Sequence, residues 1–282
     1  MTRFLTGFVC GLIMIPVCIF SHTIIWPLFW TLVSVIAVLE MLRCLGFSKE
    51  KAFLVPSVLV AFLPFLLWLF TVRLGSMDLF RCLFLFCGLY FVTVQLTSIF
   101  LDNRIPTERV YGLIAQILYV SVSFSAICLI RYLDDGNEIG KYVYLLVFFG
   151  AWISDIFAYF TGRAIGKHKL CPAISPKKTV EGSIGGVIAN MIFFAGYALV
   201  LRAFFQVNAS ILFFAILGAL LSVVGQFGDL FASAIKRHHQ IKDYGKIFPG
   251  HGGVMDRFDS TLAIGLSFLL VIAAFGSGFL IA

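Results

Sequence analysis

Residues 241–260, "IKDYGKIFPGHGGVMDRFDS", crowd three acids, three bases, a histidine and four glycines into a chain otherwise dominated by Leu, Ile, Val and Phe. Asp256 and Asp259 stand three apart, with Arg257 between them. On a helix both carboxylates would share a face and could ligate a hard cation. His251, flanked by Gly250, Gly252 and Gly253, suits contact with a phosphate in a tight turn; it lacks the companions of an HExxH zinc site. His238 and His239 read as interfacial residues.

A second polar stretch, residues 162–182, reads "GRAIGKHKLCPAISPKKTVEG". Arg163, Lys167, Lys169, Lys177 and Lys178 supply positive charge, and Ser175 and Thr179 add hydroxyl donors. Gly182, Gly185 and Gly186 would let a backbone approach closely at the start of a helix, where free N–H groups bind phosphate. The stretch is not a Walker A loop: "GRAIGKH" is one residue short and ends in His. On charge alone it also reads as an ordinary basic loop at a membrane surface.

Two further acids lie inside apolar runs, Asp155 in "VFFGAWISDIFAYFTG" and Asp229 in "LSVVGQFGDLFASAIK". An ionisable side chain within a membrane span costs about 2.5–3.5 kcal/mol on insertion scales, so it should face protein, water or an ion. Gln226, Asp229 and Ser233 share one helical face, as do Asp155 and Tyr159. Pairing with Lys or Arg as structural glue is the plain alternative. Together, a basic anion cradle and an aspartate set match phosphoryl or nucleotidyl transfer, which needs positioning and charge neutralisation more than a nucleophilic triad.

The elements that must position these residues follow from composition. Of 282 residues 61% are hydrophobic and only 12% charged, with a mean hydropathy of +1.02, which excludes a soluble globular domain. The apolar runs are of helical length and do not alternate, so the expected fold is all-α, a polytopic integral membrane protein with about nine spans. They fall near 4–20, 23–42, 53–72, 79–100, 110–131, 142–161, 183–203, 211–232 and 261–281. Residues 1–140 read as scaffold with little buried polarity, and 141–282 as a catalytic membrane region holding the polar connections 162–182 and 233–260. Of the 21 lysines and arginines, only Arg73, Arg81, Arg131, Lys141 and Arg202 fall on one side. The positive-inside rule therefore places the N-terminus and both polar connections in the cytoplasm. Basic cytoplasmic loops explain the pI near 9.1 without nucleic acid as a partner. The seven cysteines are scattered without a CxxC pair and read as small core residues.

"SAIKRHHQIKDYGKIFPGHGGVMDRFD", residues 233–259, resembles the signature of the phosphatidate cytidylyltransferases, and residues 154–186 are similar to the corresponding part of that family. The resemblance covers roughly the last 130 residues. It implies that CTP and phosphatidate give CDP-diacylglycerol and pyrophosphate with Mg²⁺, a second cation being an option, in a bacterial inner membrane with the site facing the cytoplasm. It implies metal ligation by Asp229, Asp256 and Asp259, with Asp155 a weaker candidate. Lys242, His251 and Arg257 complete the implied catalytic set. Ser175, Lys177, Lys178, Thr179, Glu181, Ser233, Lys236, Arg237, Gly252 and Gly253 would meet CTP or lipid, and Asp243 would orient Lys242 or Arg257. A homodimer is a candidate assembly. The rival classes are a secondary transporter of an anionic substrate and another lipid-linked enzyme such as an isoprenoid-alcohol kinase.

Overall fold

The computed structural model describes residues 2–101, 105–133, 139–250 and 252–276, with side chains from residue 11 onward. Among the described residues, eight helical segments are long and apolar enough to cross a membrane. They include α2 (Ile25–Cys44), α5 (Leu79–Phe100), α6 (Thr107–Ile130), α9 (Val180–Phe205), α10 (Ile211–His238) and α11 (Met255–Phe275). The expected span 53–72 is built from three pieces: α3 (Lys51–Val60), α4 (Leu63–Leu67) and a π-helical turn, Trp68–Arg73. Pro56 lies inside α3 and Pro64 opens α4; each lacks a backbone donor, so the hydrogen-bond ladder is interrupted where they fall. The expected span 142–161 begins with a short α7 (Gly140–Val143) and continues as α8 (Leu146–Ile165). The first run forms α1 (Thr2–Ile19), 18 residues long and outside the eight.

One departure from an all-α chain lies in the first polar connection. It folds into an antiparallel hairpin of β1 (Lys169–Cys171) and β2 (Ser175–Thr179). Pro176 lacks an N–H, which a two-stranded ribbon tolerates because every strand in it is an edge.

The chain forms two compact units, residues 1–132 with 238–258, and residues 133–237 with 259–282. The first division lies close to residue 140, but the signature loop joins the N-terminal unit. In that unit Trp26 and Trp30 of α2 are fully buried. Trp30 stacks on Phe124 of α6 at 6.0 Å and meets Phe258 edge-on at 5.7 Å. Trp26 Nε1 donates to Cys128 O at 3.0 Å. The outer faces are apolar, with Phe84 and Phe100 of α5 more than four-fifths exposed, a surface that suits lipid rather than water.

In the second unit α8 and α9 lie so close that glycines of α9 leave no room for side chains. A Cβ on Gly182 would stand 2.5 Å from Ala158 O, and one on Gly186 2.8 Å from Ser154 O. These glycines thus serve helix packing of the small-residue kind common in membranes, and Gly182 also lines a cavity beside the hairpin. Gly186→Val should cost about 1–3 kcal/mol of stability through overpacking, seen as a lower melting temperature in detergent. A variant that melts with the parent would show that the helices do not pack this way.

Candidate active site

The second unit gathers the intramembrane acids with basic side chains from the hairpin. Successive residues of a strand face opposite ways, so β2 leaves Lys177 exposed and turns Lys178 Nζ into an ion pair with Asp229 Oδ2 of α10. Ser233, one turn on, donates to Asp229 Oδ1 at 3.4 Å. Asp259, in the first turns of α11, lies within electrostatic reach of Asp229, Lys236 and Asp155. Gly225 and Gly228 of α10 bring the helices this close: a Cβ on Gly228 would stand 3.0 Å from Asp259 O, and one on Gly225 2.7 Å from Ile264.

Gln226 leaves the polar face for the packed interior. Its Nε2 donates to Ser183 O and Ser222 Oγ, both at 3.2 Å, and to Ser154 Oγ at 3.4 Å. Its Oε1 accepts from Ser183 Oγ, and Ser154 and Ser222 share a 2.7 Å hydrogen bond. α8, α9 and α10 are thereby cross-linked by a buried polar network beneath the acids, which fixes their register. Beside it lies a cavity of about 290 Å³ lined by Asp155, Ala158, Tyr159, Arg163, Leu170, Lys177, Lys178 and Thr179, among others.

Two expected ligands of this stretch also have protein partners. Thr179 is the N-cap of α9, its Oγ1 accepting from Gly182 N at 3.2 Å, as a threonine before a helix does. Glu181 accepts from His168 N through both carboxylate oxygens at 3.2 Å, and its Oε1 meets His168 Nδ1 at 2.6 Å, clasping the hairpin to α9. Ser175 opens β2, half-buried, and Arg237 is exposed near the end of α10.

The first unit holds the signature loop. Lys242, Asp243, Gly245, Lys246, Gly252 and Arg257 line a cavity of about 430 Å³ together with Phe248, Pro249 and Gly250. Gly252 has φ +81°, a left-handed conformation open to glycine at little cost. Asp256 is 8% exposed, and its Oδ2 accepts from Tyr244 N at 2.8 Å and Gly253 N at 3.0 Å. One oxygen of this expected metal ligand is therefore engaged in folding the loop. His251 lies outside the described residues. His239 is held below its ordinary pKa, first by burial and then by His238 and Arg109. It is a poor phosphate-binding cation at neutral pH.

A residue with no part in the sequence reading sits beneath this loop. Glu40 of α2 is 1% exposed; its Oε1 accepts from Val254 N at 3.1 Å and its Oε2 from Met255 N at 2.9 Å. The N-terminal helices are therefore not poor in buried polarity as expected. A lone glutamate near the end of an apolar run was a usable signal, but its partners, more than 200 residues away, carry no local pattern.

Magnesium takes one or two carboxylates plus phosphates and retained waters, and the donor set of Asp229 and Asp259 fits that chemistry. Among the described residues, no three His, Cys, Asp or Glu side chains are grouped to hold an ion alone.

Residues 1–275 match the model of the cytidylyltransferase family. The chain is 34% identical over 262 residues to a phosphatidate cytidylyltransferase of Staphylococcus saprophyticus, covering 93% of this chain and 95% of that one. It is 32% identical over 270 residues to one of Staphylococcus haemolyticus, with the same coverage. A Bacillus subtilis phosphatidate cytidylyltransferase is 38% identical over 185 residues, 63% of this chain and 64% of that one. Eight apolar helices of spanning length among the described residues, two basic pockets and a match along nearly the whole chain make this a multi-pass membrane protein that belongs to the cytidylyltransferase family.

Proposed function

We propose that the chain transfers the cytidylyl group of CTP to the phosphate of phosphatidate at the cytoplasmic face of a bacterial inner membrane, giving CDP-diacylglycerol and pyrophosphate. The observation that carries this reading is the ion pair of Lys178 with Asp229, with Asp259 within electrostatic reach, beside a cavity whose walls are both basic and apolar. Ala158, Leu170 and Tyr159 next to Lys177 and Lys178 match a phosphate carried on an apolar body. The signature-loop cavity, with Lys242, Lys246 and Arg257 around Gly252, matches a nucleoside polyphosphate.

The attacking phosphomonoester, with a second pKa near 6 if it behaves as a protein phosphate does, is largely dianionic at pH 7 and needs no general base. What opposes the reaction is repulsion between two anions, and the chain's own cations answer it. Lys178 now balances Asp229; a phosphate in the cavity would give its ammonium a second acceptor. Lys177 and Arg163 line the same walls. Asp229 and Asp259 would hold Mg²⁺, with Asp155 near them, and the ion when bound would neutralise phosphate oxygens as charge develops. The basic residues of both polar stretches face the cytoplasm in this reading, where CTP is available.

The test is pyrophosphate release by purified protein in mixed micelles. Release should require CTP, phosphatidate and Mg²⁺ together and vanish with EDTA. Nucleoside diphosphate as the product would point to a lipid kinase, and no turnover in micelles with substrate movement across sealed vesicles to a transporter.

A further inference from the structure

The signature loop is folded around two carboxylates, and only one of them belongs to the loop. Asp256 gathers Tyr244 N and Gly253 N; Glu40 gathers Val254 N and Met255 N. Tyr244 at one end and the consecutive residues 253–255 at the other are thus held by four charge-assisted hydrogen bonds, each stronger than a neutral one. Gly245 and Gly253 complete the fit, because a Cβ on either would fall onto the Glu40 carboxylate. Glu40 is buried and comes from α2, a helix with no residue in the cavity of the loop.

From this arrangement we infer that Glu40 is a positioning residue for nucleotide binding: it pins the signature loop so that Lys242, Lys246 and Arg257 converge on the polyphosphate. The physical reason is twofold. Free N–H groups at the start of α11 would attract a phosphate; Glu40 occupies that of Met255 and, just before the helix, that of Val254, so an incoming anion meets the basic side chains of the loop instead of the helix end. A buried carboxylate with both oxygens engaged also leaves the loop few alternative conformations, which lowers the ordering cost of binding. The inference rests on the assignment of the loop cavity to CTP proposed above.

Glu40→Gln keeps size and one acceptor but turns an amide N–H₂ toward a backbone N–H. The KM for CTP should rise about 10–100-fold, the range for losing a hydrogen bond to a charged group. The KM for phosphatidate should stay near that of the parent, and the melting temperature should fall by no more than the few degrees that one unpaired buried N–H costs. Gly245→Ala presses on the same carboxylate from the loop side and should give the same selective rise, whatever the fate of the first variant. A KM for CTP within about twofold of the parent in both variants, or an equal loss in kcat and both KM values, or a collapse of the melting temperature in both, would assign Glu40 to the fold alone and overturn the inference. If the parent itself does not use CTP, the function proposed above is what fails. The pinning is then read from tryptic cleavage at the exposed Lys242 and Lys246, measured well below the melting transition of both proteins: faster cleavage in Glu40→Gln supports it, and equal rates overturn it.

Discussion

Asp259→Asn is expected to lower CTP-dependent pyrophosphate release by at least about 10²–10³-fold, the loss seen when a preorganised electrostatic group is removed from an active site, without unfolding the protein. The environment makes this separation sharp. Asp259 lies near two other carboxylates, Asp229 and Asp155, and one lysine, Lys236. Removing a negative charge from a group of like charges relieves repulsion, so the melting temperature should hold or rise while turnover falls. Asp229→Asn differs in one respect. Its partner Lys178 is only 26% exposed, and a poorly solvated ammonium left without its counter-ion is destabilising, so activity and stability should fall together. Melting curves and turnover measured on both variants check the pair. Near-parental activity in Asp259→Asn would remove it from the site.

The second large effect belongs to Asp256, where charge and fold can be separated. In Asp256→Asn the amide oxygen can still accept from Tyr244 N and Gly253 N, so the loop should keep its shape. Turnover should nevertheless be abolished if the carboxylate charge serves the reaction. Asp256→Ala removes the acceptor altogether and leaves two buried N–H groups unpaired, at about 1–3 kcal/mol each; its melting temperature should fall by several degrees. Near-normal turnover in Asp256→Asn, with the expected loss of stability in Asp256→Ala, would make Asp256 a loop-folding residue with no charge role in the reaction.

Much of the architecture was open to a reader of the sequence because the membrane imposes it. Runs such as 79–100 had to become single helices, as α5 does, since no other structure satisfies a backbone in hydrocarbon. What that logic could not reach depends on contacts between distant segments. The hairpin of 169–179 was hidden by its lysines and prolines, which read as a solvated loop. The glycines at 182 and 186 read as room for a ligand, and the period could not tell that both also pack against α8. The polar face of Gln226, Asp229 and Ser233 was visible as a helical repeat, but the period could not tell that Gln226 turns to Ser154 and Ser222 while Asp229 turns to Lys178.

The signature loop shows the same limit most clearly. Its composition marked it as chemical, and its acids, bases and glycines were named one by one. That Asp256 binds backbone N–H groups, and that a glutamate of the second helix holds the other end of the turn, follow from the folded chain alone.

The most direct test of the central claim follows the phosphorus atoms. Purified protein in phosphatidate micelles with Mg²⁺ would be given CTP labelled at the α-phosphorus or, separately, at the γ-phosphorus. Cytidylyl transfer requires the α-label to pass into the lipid phase, with the γ-label released as pyrophosphate. A γ-label in the lipid phase, or α-label that stays in water while pyrophosphate appears, would contradict it.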